Sequence, residues 1–128
     1  MVVLTNAQLE MTQRYISLLD TIAEGFKYIE ESFTNYERTQ ADEILADIFT
    51  AFARIAETNE KLARLFGDEQ GIVNQLRLFY EVLEHVYKLD GKLHDPNYKQ
   101  LVIQKHLSPA FEAWKLSILQ SLRKYIEQ

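Results

Sequence analysis

Few side chains in this sequence could do chemistry, and their spacing argues against most of the chemistry open to them. There are three histidines, His85, His94 and His106. Helical bundles that bind metal commonly turn a Glu-x-x-His pair inward from each of two helices. Here the residues three places before the histidines are Val82, Gly91 and Ile103, so no such pair exists. Glu81 and His85 share a helix face at a four-residue spacing, but that face lies off the apolar stripe and reads as a solvated surface pair. His94 sits beside Asp95 in a loop. The chain has no cysteine, which removes thiolate zinc sites, iron–sulfur clusters, disulfides and a cysteine nucleophile. No serine stands in a Gly-x-Ser-x-Gly elbow. Gly67 and Gly71 are not a phosphate loop, because no Lys-Ser or Lys-Thr follows them. No cofactor and no metal is expected, and catalytic residues are expected to be absent.

Two polar residues fall inside apolar arcs. Glu30 lies within about 20° of the centre of the first helix's stripe, at about 100° per residue. Asn59 fills the slot between Ile55 and Leu62 on the second helix. A buried carboxylate or amide costs free energy unless it is hydrogen-bonded. Glu30 and Asn59 are therefore the candidate buried polar groups, read as register-setting hydrogen bonds, as a Glu that reaches the rim near the helix end, or as a polar centre for a small ligand or metal. Three apolar residues point the other way: Tyr28 on the first helix, and Val102 and Leu116 on the last if that helix is straight. Exposed apolar groups that cluster mark interfaces, so Tyr28, Val102 and Leu116 are the candidate interface.

These residues are placed by helices. Strand signals are missing, with no sustained alternation and no Asn-Gly or Asp-Gly hairpin between β-branched runs. The first helix runs from about Asn6 to Tyr36, opened by a Thr5/Gln8 capping box. Leu9, Ile16, Leu19, Ala23, Phe26 and Phe33 form its stripe. The second runs from about Gln40 to Phe66 and stops at Gly67, which suits a left-handed cap, with Asp68 capping the next helix. The third runs from about Glu69 to Leu89 and ends at Asp90-Gly91. Asp95-Pro96 opens the last helix, Asp as N-cap and Pro in the first turn. Ser108-Pro109 falls inside that last pattern. Proline lacks the amide donor and clashes with the carbonyl four residues back, so a kink or break is expected there, with the helix resuming to about Ile126. Phe26, Phe52, Ile55, Phe79, Leu83, Phe111 and Trp114 are the expected centre of the core. Long helices joined by short loops run antiparallel. The fold is therefore read as all-α, an antiparallel up-and-down four-helix bundle in a single domain over residues 1–128, with both ends of the chain at one pole.

Composition narrows the partners. The net charge is −5 and the 14 basic residues are scattered, whereas nucleic-acid binding needs clustered Lys and Arg. An anionic membrane surface is disfavoured for the same reason, and no apolar run approaches a membrane span. The segment Met1-Val2-Val3-Leu4-Thr5-Asn6 has no basic n-region and does not read as a secretion signal. A cytoplasmic setting is the expectation.

The stretch Gly25-Phe26-Lys27-Tyr28-Ile29-Glu30-Glu31, with the acidic start of the second helix up to Ile55, resembles small uncharacterised helical proteins of Gram-positive bacteria. That resemblance covers about the first half of the chain and implies no activity and no site residue. Size, acidity and bundle shape are also similar to export chaperones of flagellar and type III systems. Three function classes follow. The first is a small binding or adaptor module that holds a protein partner in a groove. The second is a self-associating homodimer built on the outward residues. The third is a ligand or metal site around Glu30 and Asn59.

Overall fold

The first helix begins where Thr5 and Gln8 cap each other. The Gln8 N–H donates to Thr5 Oγ1 at 3.1 Å, and the Thr5 N–H donates to Gln8 Oε1 at 2.9 Å. The computed structural model describes residues 2–127, and among them there is no strand. Four helical segments follow in order: α1 (Asn6–Ser32), α2 (Ala41–Leu65), α3 (70–87) and α4 (96–126). The principal contacts run α1 to α2, α2 to α3, α3 to α4 and α4 back to α1. This is the expected up-and-down bundle. The 33–40 turn, the short 66–69 turn and the 88–95 loop connect the helices. Asp95 caps α4 by accepting from the Tyr98 N–H at 3.1 Å, with Pro96 in the first turn.

The core is organised around aromatic rings. Phe26, Phe52, Phe79 and Phe111 bring one ring from each helix, and Trp114 adds a second from α4. Phe52 stands 5.4 Å from Phe79, edge to face; Phe26 stands 5.5 Å from Phe111; and Phe79 stands 4.6 Å from Trp114. The tilted and edge-on pairings are those that ring quadrupoles favour. An indole in a core needs an acceptor for its N–H, and Trp114 Nε1 donates to the Gln75 carbonyl at 2.7 Å. In an unbroken helix that carbonyl would receive the Phe79 N–H. The helix is interrupted at this point: Gln70–Arg77 ends, Leu78 is a turn, and Phe79–Tyr87 resumes. Past the interruption the buried positions are Phe79, Val82 and Leu89, and the expected core residue Leu83 is only half-buried.

Two further expectations are corrected. Gly67 is not left-handed; Gly91, at φ 70°, is the residue that needs that freedom. Asp68 does not cap α3. The residue before α3 is Glu69, and its carboxylate is engaged elsewhere, by Lys124 at 2.7 Å and by the Tyr125 hydroxyl. The Val2 N–H in turn donates to the Tyr125 oxygen at 3.3 Å, so both ends of the chain meet the α2–α3 turn at one pole.

The irregularity expected in α4 near Ser108-Pro109 is present as a widened turn, through which the helix continues. Residues Ile103–Leu107 form a π-helical turn, in which the Ser108 N–H reaches back to the Ile103 carbonyl. A wider turn frees the carbonyl that the Pro109 ring would otherwise meet. It also changes which side chains face out. At about 100° per residue, an unbroken α-helix puts Val102 within about 40° of Leu116. The one extra residue of a π turn moves Val102 to about 140° away and brings Leu101 into its place. Val102 is accordingly buried at 2% exposure, while Leu101 and Leu116 are exposed, Leu116 at 61%. Val102 therefore leaves the candidate interface and joins the core.

Two outcomes test this account. Phe111→Ala, which removes a fully buried ring packed against three others, should cost about 3–5 kcal/mol in chemical denaturation. The second concerns acid. Hydrogen bonds from Lys124 and then from Tyr125 hold the Glu69 carboxyl below its ordinary pKa. A carboxyl depressed on folding stabilises the fold above its unfolded pKa and loses that contribution as pH falls through the folded value. Thermal scans from neutral to acid pH should show a steeper loss for wild type than for Glu69→Gln, and equal slopes would remove the role given to this contact.

Candidate binding groove

Small residues on two helices leave the seam between α1 and α2 open. Gly25 of α1 has no side chain, and a Cβ there would meet Ile48 at 3.1 Å and Ile44 at 3.2 Å. The helices thus approach closely at Gly25. Beside it, Ala51 is too short to cover the seam. The result is a depression of ≈ 350 Å³ whose apolar lining includes Leu18, Ile22, Gly25, Ile44, Ile48 and Ala51. Thr21, Glu24 and Asp47 stand at its edge. A second depression of ≈ 370 Å³ continues along the same two helices, with Ala7, Met11, Arg14, Arg54 and Thr58 in its lining. Leu18 lines both, so they form one groove. From Ala7 to Tyr28 it follows α1 for about 30 Å at 1.5 Å per residue.

Tyr28, expected to point outward, closes the far end of this groove instead. It is half-buried, its hydroxyl accepts from the Gln40 N–H at 3.3 Å, and the Arg38 guanidinium lies 5.3 Å over its ring. A long side chain on a flanking position can reach the next turn of chain, which a helical projection of α1 alone does not show. Leu116, by contrast, is exposed as expected on the outer face of α4.

The polar pair is not brought together. Asn59 is buried, and its Oδ1 accepts from the Tyr15 hydroxyl at 2.5 Å. Burial pushes the Tyr15 hydroxyl pKa far above its ordinary value, so it remains a neutral donor. Glu30 is only half-buried and lines a cleft between α1 and α4 with Lys27, Ser108 and Glu112. Its core place is taken by Ile29, since the buried residues of α1 advance from Leu19 to Ile22, Phe26 and Ile29. Ile16, Ala23 and Glu30 repeat every seven residues on the flank facing α4. Asn59 pairs with Tyr15 near the opposite end of α1, about 20 Å from Glu30 at 1.5 Å per residue.

His85 and His106 do meet, with rings stacked at 5.7 Å and 16°. Lys88 Nζ lies 3.0 Å from His85 Nδ1. Burial first, then the charges of Lys88 and His106, lower the His85 pKa. Among the described residues no group of three His, Cys, Asp or Glu side chains could hold a metal ion. One catalytic spacing in the sequence was missed: Ser121 and Lys124 stand three apart, as in Ser-x-x-Lys. The Ser121 hydroxyl donates to the Ser117 carbonyl at 3.1 Å. The Glu69 carboxylate raises the Lys124 pKa by hydrogen bonding to the ammonium, which favours the charged form over the free amine that a general base requires. Each group is occupied with its own helix or neighbour.

A family model described as "Domain of unknown function (DUF8042)" matches residues 10–117. The chain belongs to the DUF8042 family. No curated protein and no solved structure matches it. The DUF8042 span contains the groove walls from Met11 to Tyr28 and from Ile44 to Thr58, and the aromatic layer. It leaves out Lys124 and Tyr125. Among the described residues no helix is long and apolar enough to cross a membrane.

The Tyr15–Asn59 bond gives the prediction for this region. Tyr15→Phe strands a buried amide oxygen and should destabilise by about 1–3 kcal/mol. Adding Asn59→Leu removes the stranded acceptor and should recover much of the loss, read as the coupling in a double-mutant cycle of urea melts.

Proposed function

We propose that this DUF8042 chain is a non-catalytic binding module that holds an amphipathic helix of a protein partner in the α1–α2 groove. The observation that carries this is the exposed apolar seam at Gly25 and Ala51, long and shallow, bounded by helices on both sides. A helix lays its apolar stripe into such a groove through residues spaced i, i+3, i+4 and i+7. Small residues at the centre of the seam leave room for one bulky side chain of the partner. An adaptor or chaperone-like role in a bacterial cytoplasm is part of the same proposal; the acidity and bundle shape of the chain support it.

Self-association is a second reading, favoured by the exposure of Leu101 and Leu116 on the outer face of α4. The turning-in of Val102 takes one residue from that surface.

Amide chemical-shift mapping separates the two. Titrating the labelled protein with an amphipathic peptide of about 18 residues, carrying an apolar i, i+3, i+4, i+7 stripe, should move amides at Leu18, Gly25, Ile44 and Ala51. Ala51→Trp, which fills the seam from a half-buried position, should abolish the effect and leave the fold intact. Shifts centred on Leu116 that depend on protein concentration alone would favour the dimer and count against the groove.

A further inference from the structure

The groove carries its charge unevenly along its length. At the end nearer the start of α1, Arg14 and Arg54 line it from opposite walls. Glu10 is paired with Arg14 at 2.6 Å, so the two arginines against one glutamate leave this end with a formal charge of +1. At the other end the charged groups lining it are Glu24 and Asp47, again one from each wall, a formal charge of −2. Beyond them Arg38 is paired with Glu31 at 3.5 Å, so that ion pair adds no net charge. Between the two ends the lining is Leu18, Thr21, Ile22 and Ala51. From Arg14 to Glu24 the distance along α1 is about 15 Å, and from Arg54 to Asp47 along α2 it is about 10 Å.

We infer that the occupant of this groove is an amphipathic helix whose charge is split, acidic beside its apolar stripe at one end and basic about two to three turns farther on. The inference rests on the helix-binding reading above and adds the chemistry of the partner. A uniformly basic helix, which the net charge of −5 attracts at long range, sets like charges against Arg14 and Arg54. A uniformly acidic helix sets them against Glu24 and Asp47. Only a split helix meets opposite charge at both ends, with its apolar residues over Gly25 and Ala51. Charges on the rim of an interface fix register and exclude wrong partners more than they add affinity. The arrangement therefore selects among helices that would all fit the apolar seam.

Three peptides of 18 residues with one shared apolar stripe make the test. One carries Glu beside the stripe in its first half and Lys in its second; one carries only Lys; one carries only Glu. Calorimetric titration at low salt should rank the split peptide tightest, roughly three- to tenfold over either uniform peptide, the range expected of a few exposed pairs. The ranking should collapse near 1 M salt, where the screening length falls to about 3 Å. In the double variant Arg14→Glu, Arg54→Glu the all-Lys peptide should become the tightest. In Glu24→Lys, Asp47→Lys the all-Glu peptide should. These four positions lie at the edge of the groove and not in the core, so either variant can carry the test if the other fails to fold. An all-Lys peptide that binds wild type as tightly as the split one overturns the inference, because net charge alone then selects. Three equal affinities at both salt levels also overturn it and leave the groove reading standing. No binding of any peptide defeats the groove reading itself, and this inference with it.

Discussion

Five aromatic rings contributed by all four helices meet near the middle of the bundle, and the positions of much else follow from that meeting. Phe26 points into this layer, so Gly25, about 100° round the helix, is turned toward α2. With no side chain at Gly25 the two helices close on Ile44 and Ile48, and the surface of the seam is left uncovered. Trp114 reaches into the layer from α4, and its indole N–H finds the Gln75 carbonyl. The interruption of α3 at Leu78 lies at that contact. A groove on one side and a break on the other are thus both tied to the way the rings are seated.

Much of this was legible in the sequence. The capping box at Thr5, the Asp95-Pro96 start, the number of helices and the ring positions of the core all depend on local rules or on a sustained helical period. The misreadings came where a contact between helices overrode the period. Leu83 lost its core place to Val82 once Trp114 had engaged Gln75. Glu30 sat near the centre of a broad apolar arc, but the helix buries a narrower line that runs through Ile29. Gly67 ends a helix in a turn too short to need a left-handed residue, while Gly91 in a longer loop takes that conformation. Of the residues singled out for function, Tyr28 does border the groove, but through a hydrogen bond to Gln40 that no single helix reveals. The groove itself left only a trace in the sequence: Gly25 inside a helix, where glycine costs about 1 kcal/mol relative to alanine.

The polar chemistry is spent on structure. Tyr15 answers Asn59, Tyr125 and Lys124 answer Glu69, and among the described residues no buried side-chain nitrogen or oxygen lacks a partner. What the fold leaves unfilled is apolar surface with charge at its borders, along the seam between α1 and α2.

The π-helical turn before Pro109 works as a shift of reading frame within one helix. Every residue of α4 ahead of it is out of phase with every residue after it by one position. The two halves of the helix can therefore answer to different neighbours although the backbone never leaves the helical state. Relatives that lack a proline at this place are free to dispense with the extra residue, and an aligned family would then show a gap of one between Ile103 and Leu107. In such a relative it is the whole stretch from Pro96 to Val102 that turns on its axis, and a new side of it that meets the solvent.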